Sequence, residues 1–249
     1  MTTTETLPDT TSTGMRLALR GVRIAYGGGA PVILGLDLEI DPGEILVLVG
    51  KSGCGKSTVL RALAGLRRPQ GGHILADDAP VSGPSADRAL IFQDDALLPW
   101  RTVERNIELA LRLRGVPKAQ RRSAVRHWIG QVGLDEYRDY LPRDLSGGMR
   151  QRVQLARGLA ASPRAVLMDE PFGALDSQTR ETMQRLLIET WRSHPTTVVF
   201  VTHDLDEALL LGDRVAVLAD GELRAVVAVP DPRQVVDRRS VKARILEKL

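Results

Sequence analysis

A chain of 249 residues with 43% hydrophobic and 26% charged side chains can build one sizeable core or two lobes. Its net charge of +3 is too mild to point to nucleic acid, and its one cysteine, Cys54, excludes an intrachain disulfide and suits a reducing cytoplasm. No apolar run approaches the ~18 residues that a spanning helix needs. Residues 1–14 are rich in threonine and have neither the basic start nor the apolar stretch of a secretory signal, so they read as a disordered leader.

Met15 to Leu19 and Val22 to Tyr26 read as two short strands, followed by a turn at Gly27-Gly28-Gly29. Tyr26 ends the second strand; its ring either stacks on a base or sits half-buried on the sheet. Val32 to Ile40 alternates loosely and stops at Asp41-Pro42-Gly43. Ile45 to Val49 is a continuous apolar run, as in a buried parallel strand.

Gly50-Lys51-Ser52-Gly53-Cys54-Gly55-Lys56-Ser57 then gives the spacing G-x-x-x-x-G-K-S, followed by Thr58. Phosphate oxygens need many donors close together. Glycines let the backbone approach, and successive N–H groups form an anion nest. Lys56 adds a point charge, and Ser57 offers a hydroxyl to Mg²⁺. Leu60, Leu63, Ala64 and Leu66 recur at helical spacing, so a helix N-terminus faces the phosphates.

His73 to Leu75 and Ala89 to Phe92 read as strands, with Gln93 after the second. Thr102 to Arg114 and Lys118 to Val132 are arginine-rich helices. Leu109, Leu113 and Val116 form one stripe, and Val125, Trp128, Ile129 and Val132 another. Ser146 caps the next helix, with Gly147 and Gly148 beside it: a plain capped helix or a second phosphate cradle. Ala165 to Met168 is a buried strand that ends in Asp169-Glu170, at the end of the sheet where α/β folds bind ligands. One of these acids suits Mg²⁺, and the other can polarise water. A helix after Asp176, a strand from Thr197 to Val201 and His203 follow. A further helix and the Asp220-Gly221 hairpin precede a basic, weakly helical end.

Taken in order, the Gly50–Ser57 loop, Gln93, Leu145-Ser146-Gly147-Gly148-Met149-Arg150-Gln151, Met168-Asp169-Glu170, Ala174-Leu175-Asp176 and His203 resemble the motif set of an ABC-type ATPase. The resemblance covers about residues 15–230. Met149 departs from it, since the family usually has Gln there. It implies an α/β P-loop NTPase fold, with a RecA-like core, an antiparallel β region and a helical subdomain inserted at about 94–161. Residues 231–249 remain as a basic tail.

For the site, the resemblance implies ATP and Mg²⁺ as ligands. Tyr26 stacks on adenine. Gly50, Lys51, Ser52, Gly53, Cys54, Gly55, Lys56, Ser57 and Thr58 form the phosphate loop. Ser57, Gln93 and Asp169 serve the metal, Glu170 is the general base, and His203 contacts the γ-phosphate. Lys56 and Gln93 assist the chemistry. Ser146, Gly147, Gly148 and Asp176 act across a head-to-tail dimer of two copies.

The resemblance also implies permease subunits as partners, an extracytoplasmic solute-binding protein reached through them, no nucleic acid, and a peripheral place on the cytoplasmic face of the inner membrane. Asp94-Asp95-Ala96-Leu97-Leu98-Pro99-Trp100 stands where the family docks its permease; alternatively it packs between the lobes. The flanks resemble importers of aliphatic sulfonates foremost, with taurine, nitrate or pyrimidine-type solutes as alternatives. An exporter, a DNA- or ribosome-directed ABC ATPase and a P-loop kinase or GTPase fit the motifs less well.

Overall fold

The computed structural model describes residues 14–27, 29–94, 96–230, 232–233 and 238–249. The leader before Gly14 lies outside the described residues, as do Gly28 of the glycine turn, Asp95 of the apolar stretch and Asp231 of the tail.

The described chain opens with strands β1 (Leu17–Ala25) and β2 (Pro31–Ile40). The two short strands expected before Tyr26 are one. Gly21, at φ 57°, takes up the break as a bulge, and the register against β2 shifts between Leu19 and Val22. There follow β3 (Ile45–Val49), α1 (Lys56–Leu63), β4 (Gly71–Ala76), β5 (Ala79–Pro80) and β6 (Arg88–Ile91). Three helices come next in sequence: α2 (Val103–Leu113), α3 (Lys118–Gln131) and α4 (Gly147–Ala160). The chain continues with β7 (Ala165–Asp169), α5 (Ser177–Ser193), β8 (Thr197–Val201), α6 (Leu205–Leu211), β9 (Arg214–Ala219), β10 (Glu222–Ala228) and α7 (Arg239–Leu246).

The main sheet has the order β10-β9-β3-β8-β7-β6, parallel from β9 to β6 with β10 antiparallel at its edge. The hairpin at that edge turns through Asp220 (φ 51°) and Gly221 (φ 77°), as Asp-Gly favours. A smaller antiparallel sheet has the order β2-β1-β4-β5. Every residue of β3, β7 and β8 is buried, because both faces of the main sheet are covered. Alternate side chains of β3 serve different cores. Ile45, Val47 and Val49 join the core of α2–α7, while Leu46 and Leu48 join the core of α1 and the smaller sheet.

Two expected stripes are displaced. Leu66 is exposed, because α1 has already ended at Leu63. Helix α2 buries Val103, Ile107 and Leu111, while Leu113 is 71% exposed. The buried face of α2 contains a polar residue, Asn106. Its side-chain oxygen accepts from the Leu98 N–H (2.9 Å), and its amide donates to the Arg101 carbonyl (2.9 Å). At the C-terminal end, α7 seats Val241 and Ile245 in the core of the helices. Arg233 lies 4.2 Å over the Trp191 ring, pairs with Asp213 and donates to the Leu211 carbonyl (2.9 Å).

Candidate functional site

The site begins where β3 stops. At Gly50 a Cβ would lie 2.2 Å from the Leu218 carbonyl oxygen, so no side chain fits beside β9. Gly55 closes the loop at φ 109°, where a Cβ would meet Ile33 Cδ1 at 2.6 Å. Helix α1 starts immediately afterwards, so its first amides face the loop. Lys56 Nζ folds back over the loop and donates to the Gly50 (2.7 Å) and Lys51 (3.0 Å) carbonyls. Above the loop is an open cavity of about 360 Å³. It brings together Gly50, Ser52, Gly53, Gly55, Lys56, Ser57, Thr58, Gln93, Glu170 and His203. Lys51 is exposed, and Cys54 is half-buried against the core of the smaller sheet.

The strand-end acids differ in environment. Asp169 is buried and accepts a hydrogen bond from Ser57 Oγ at 3.0 Å. Burial pushes its carboxyl above the usual aspartate range, against the Ser57 hydrogen bond; Glu170 raises it further, and Arg61 and Lys56 pull it down. Ser57 Oγ and the Asp169 carboxylate, 3.0 Å apart at the edge of the cavity that Ser57 and Gln93 line, suit a hard cation such as Mg²⁺. Glu170 takes the left-handed conformation at φ 45°, which is strained for a side chain of this size. This turns its carboxylate into the cavity, where Oε2 lies 3.2 Å from Nδ1 of His203.

Tyr26 stands beside the loop, 41% exposed. Its hydroxyl shares a hydrogen bond with Thr58 (3.1 Å), and the Arg67 guanidinium lies 4.3 Å from the ring centroid. The remaining expected residues are elsewhere. Ser146 caps α4 by accepting from the Met149 N–H (3.2 Å), and Gly147 and Gly148 form the first turn. A Cβ at position 148 would lie 3.2 Å from Leu175 Cδ2, so Leu175 would have to yield to it. Gln151 accepts from the Ala174 N–H (3.2 Å), and Asp176 caps α5. Ser146, Gly147, Gly148 and Asp176 thus form a second cluster, none of whose members lines the phosphate-loop cavity.

The pattern of the ABC transporter family matches residues 33–173. The chain belongs to the ABC transporter family. A taurine import ATP-binding protein (TauB) of Pseudomonas putida is 46% identical over 223 residues, which cover 89% of this chain and 81% of that protein. The TauB of Yersinia pestis is 45% identical over 213 residues (86% and 80%). A putative ATP-binding protein of Brucella abortus is 46% identical over 225 residues (88% and 85%). A dimeric ATP-binding cassette, solved in a post-hydrolysis state with ADP and phosphate, superposes with a TM-score of 0.80 at 31% identity, covering 86% of this chain and 98% of that one. The α/β ABC ATPase fold expected from the motifs is therefore the fold of this chain.

This ABC ATPase also carries groups that sequence reasoning did not single out. Val32 lines the phosphate-loop cavity from β2, and Arg67 stacks on Tyr26. Neither residue belongs to a local motif, because each is brought in by pairing distant in sequence.

Proposed function

We propose that this subunit hydrolyses ATP to drive an ABC importer of a small organosulfonate, taurine before the longer aliphatic sulfonates. The observation that carries the ATPase reading is the single cavity shared by the phosphate loop, Gln93, Glu170 and His203. The loop amides and Lys56 hold the phosphates, Ser57, Gln93 and Asp169 would hold Mg²⁺, and Tyr26 carries the adenine. Bound there, Mg²⁺ would supply charge neutralisation for the phosphates. Glu170 takes a proton from water as its oxygen bonds to the γ-phosphorus and the bond to the ADP oxygen breaks. His203 orients the Glu170 carboxylate and reaches towards the transferred group.

The second cluster supports a head-to-tail dimer, in which Ser146, Gly147, Gly148 and Asp176 of one copy face the phosphate loop of the other. No described helix is long and apolar enough to cross a membrane, so transport requires separate permease subunits. Leu97 is buried, but Trp100 is 70% exposed, and its surface suits a permease helix. A groove of about 560 Å³ runs beside Leu109 and Leu113 of helix α2, which follows Trp100 in the chain. On this reading the subunit lies on the cytoplasmic face of the inner membrane, with a solute-binding protein on the far side. The solute assignment draws on the two taurine import relatives.

The test has two parts. Glu170→Gln should keep ATP binding and lower turnover by ~10²–10⁴-fold; near-normal hydrolysis would remove Glu170 as the base. Recovery of the subunit from gently solubilised membranes should bring a multi-helix permease with it. Taurine with its binding protein should then raise hydrolysis above the level seen with alkanesulfonates, nitrate or pyrimidines. Stimulation by alkanesulfonates instead moves the solute to that class, and failure to recover a permease removes the transport reading.

A further inference from the structure

Behind the catalytic pair lies a small cavity of about 50 Å³, bordered by Glu170, Arg180, Thr202, His203 and Glu207. Glu207, on α6, is only 7% exposed, and a buried carboxyl requires partners. It has two. Gln184 Nε2 donates to its Oε1 at 2.9 Å, and the Thr202 hydroxyl also hydrogen-bonds to it. The Thr202 oxygen in turn accepts from the Asp204 N–H (3.0 Å), which fixes the backbone on both sides of His203.

The other end of the bridge is equally defined. Asp176, Arg180 and Gln184 follow at intervals of four residues and so share one face at the start of α5. Asp176 accepts from the Thr179 N–H (2.9 Å), and Arg180 donates to the Leu175 carbonyl (3.0 Å). The face that begins at Asp176 therefore ends on Glu207, and Glu207 ends on the His203 loop. Nothing in the phosphate chemistry uses this carboxylate.

We propose that Glu207 is a positioning residue that ties the Asp176 helix to the His203 loop through Gln184 and Thr202, so that a second copy docking at Asp176 sets His203 and Glu170 for hydrolysis. The proposal rests on the dimer and catalytic roles given above. Glu207→Leu removes both acceptors at similar size, whereas in Glu207→Gln the Gln184 amide can turn its oxygen, or Thr202 its hydroxyl, to accept from the new amide. The bridge can be rebuilt with its roles exchanged: in Gln184→Glu/Glu207→Gln, the new carboxylate accepts from the new amide, whose oxygen still accepts from Thr202.

The experiment measures kcat, KM, nucleotide affinity and thermal midpoint for Glu207→Leu, Gln184→Glu, the exchange variant and His203→Ala. Glu207→Leu should lose about tenfold in kcat, with KM and ATP affinity within about twofold, while the exchange variant should keep most of the wild-type rate. If Glu207→Leu does not fold, Gln184→Met breaks the same bond from α5 and should show the same isolated loss in kcat. Parallel losses of midpoint and affinity, or an equal loss in the exchange variant, would overturn the proposal. Wild-type turnover in Glu207→Leu beside an inactive His203→Ala overturns the bridge alone, whereas wild-type turnover in His203→Ala overturns the catalytic reading beneath it.

Discussion

Glu170 combines chemical and conformational strain. Its φ of 45° costs on the order of 1 kcal/mol or more for a residue with a Cβ, and the fold accepts this to aim a carboxylate at the cavity. Glu170→Gly should therefore stabilise the protein by about 1 kcal/mol in a urea titration while hydrolysis is lost. An unchanged or lower midpoint would show that the turn is held by the side chain's bond to His203 (3.2 Å). Glu207 supports a second prediction. Burial holds its carboxyl above the ordinary glutamate value, against hydrogen bonds from Thr202 and Gln184; Asp204 adds to the rise and Arg180 opposes it, while Glu170 and His203 face it across the small cavity. The folded state thus keeps this proton to higher pH than the unfolded chain does. Above the ordinary glutamate value the folded state binds more protons, so stability falls as pH rises through the folded pKa. Glu207→Gln removes the titrating group and should flatten that part of the stability profile. An unchanged slope would assign it to other carboxyls, such as buried Glu44.

Elements were legible where their chemistry is contiguous. The buried strand, glycine loop and helix from Ile45 to Leu63 follow from adjacent residues, and so do the acids that end β7. Misjudged features depend on distant or polar contacts. The Leu109–Leu113 stripe points to the wrong face of α2: the buried face carries polar Asn106, and only its bonds to Leu98 and Arg101 explain its burial. The bulge at Gly21, the Arg67 stack on Tyr26 and the Gln184–Glu207 bridge likewise join segments that no short pattern links. The same helix yields a contrast of two variants. Asn106→Leu should cost roughly 3 kcal/mol, because it leaves the Leu98 and Arg101 backbone groups unpaired, and should lower the melting temperature. Trp100→Ala, at an exposed position three residues before α2 begins, should shift stability by less than about 0.5 kcal/mol. It should retain basal ATPase activity and lose the stimulation by permease. Unchanged stimulation would move docking away from Trp100, towards the groove beside Leu113.

At the scale of the molecule, the two clusters pose a geometric problem. The phosphate loop and the Ser146–Asp176 surface occupy separate parts of one chain, and only the loop lines the nucleotide cavity. A capped helix with two open glycine amides has no phosphate of its own to meet unless another copy supplies one. Two chains placed head to tail solve this twice, once at each loop. The bound nucleotide then belongs to both surfaces, so ATP should hold the dimer together and its hydrolysis should release it. Glu170→Gln makes this measurable by keeping ATP intact. In sedimentation, that variant should double in mass with ATP and Mg²⁺ and remain monomeric with ADP, with the dimer fraction rising with protein concentration. Adding Ser146→Arg should abolish the mass change by filling the cradle, yet leave ATP affinity within about threefold, because the loop of each chain is untouched. A monomer that holds ATP without doubling would break the head-to-tail arrangement. Loss of ATP affinity in the Ser146→Arg variant would instead place Ser146 at its own chain's nucleotide, where the present geometry does not put it.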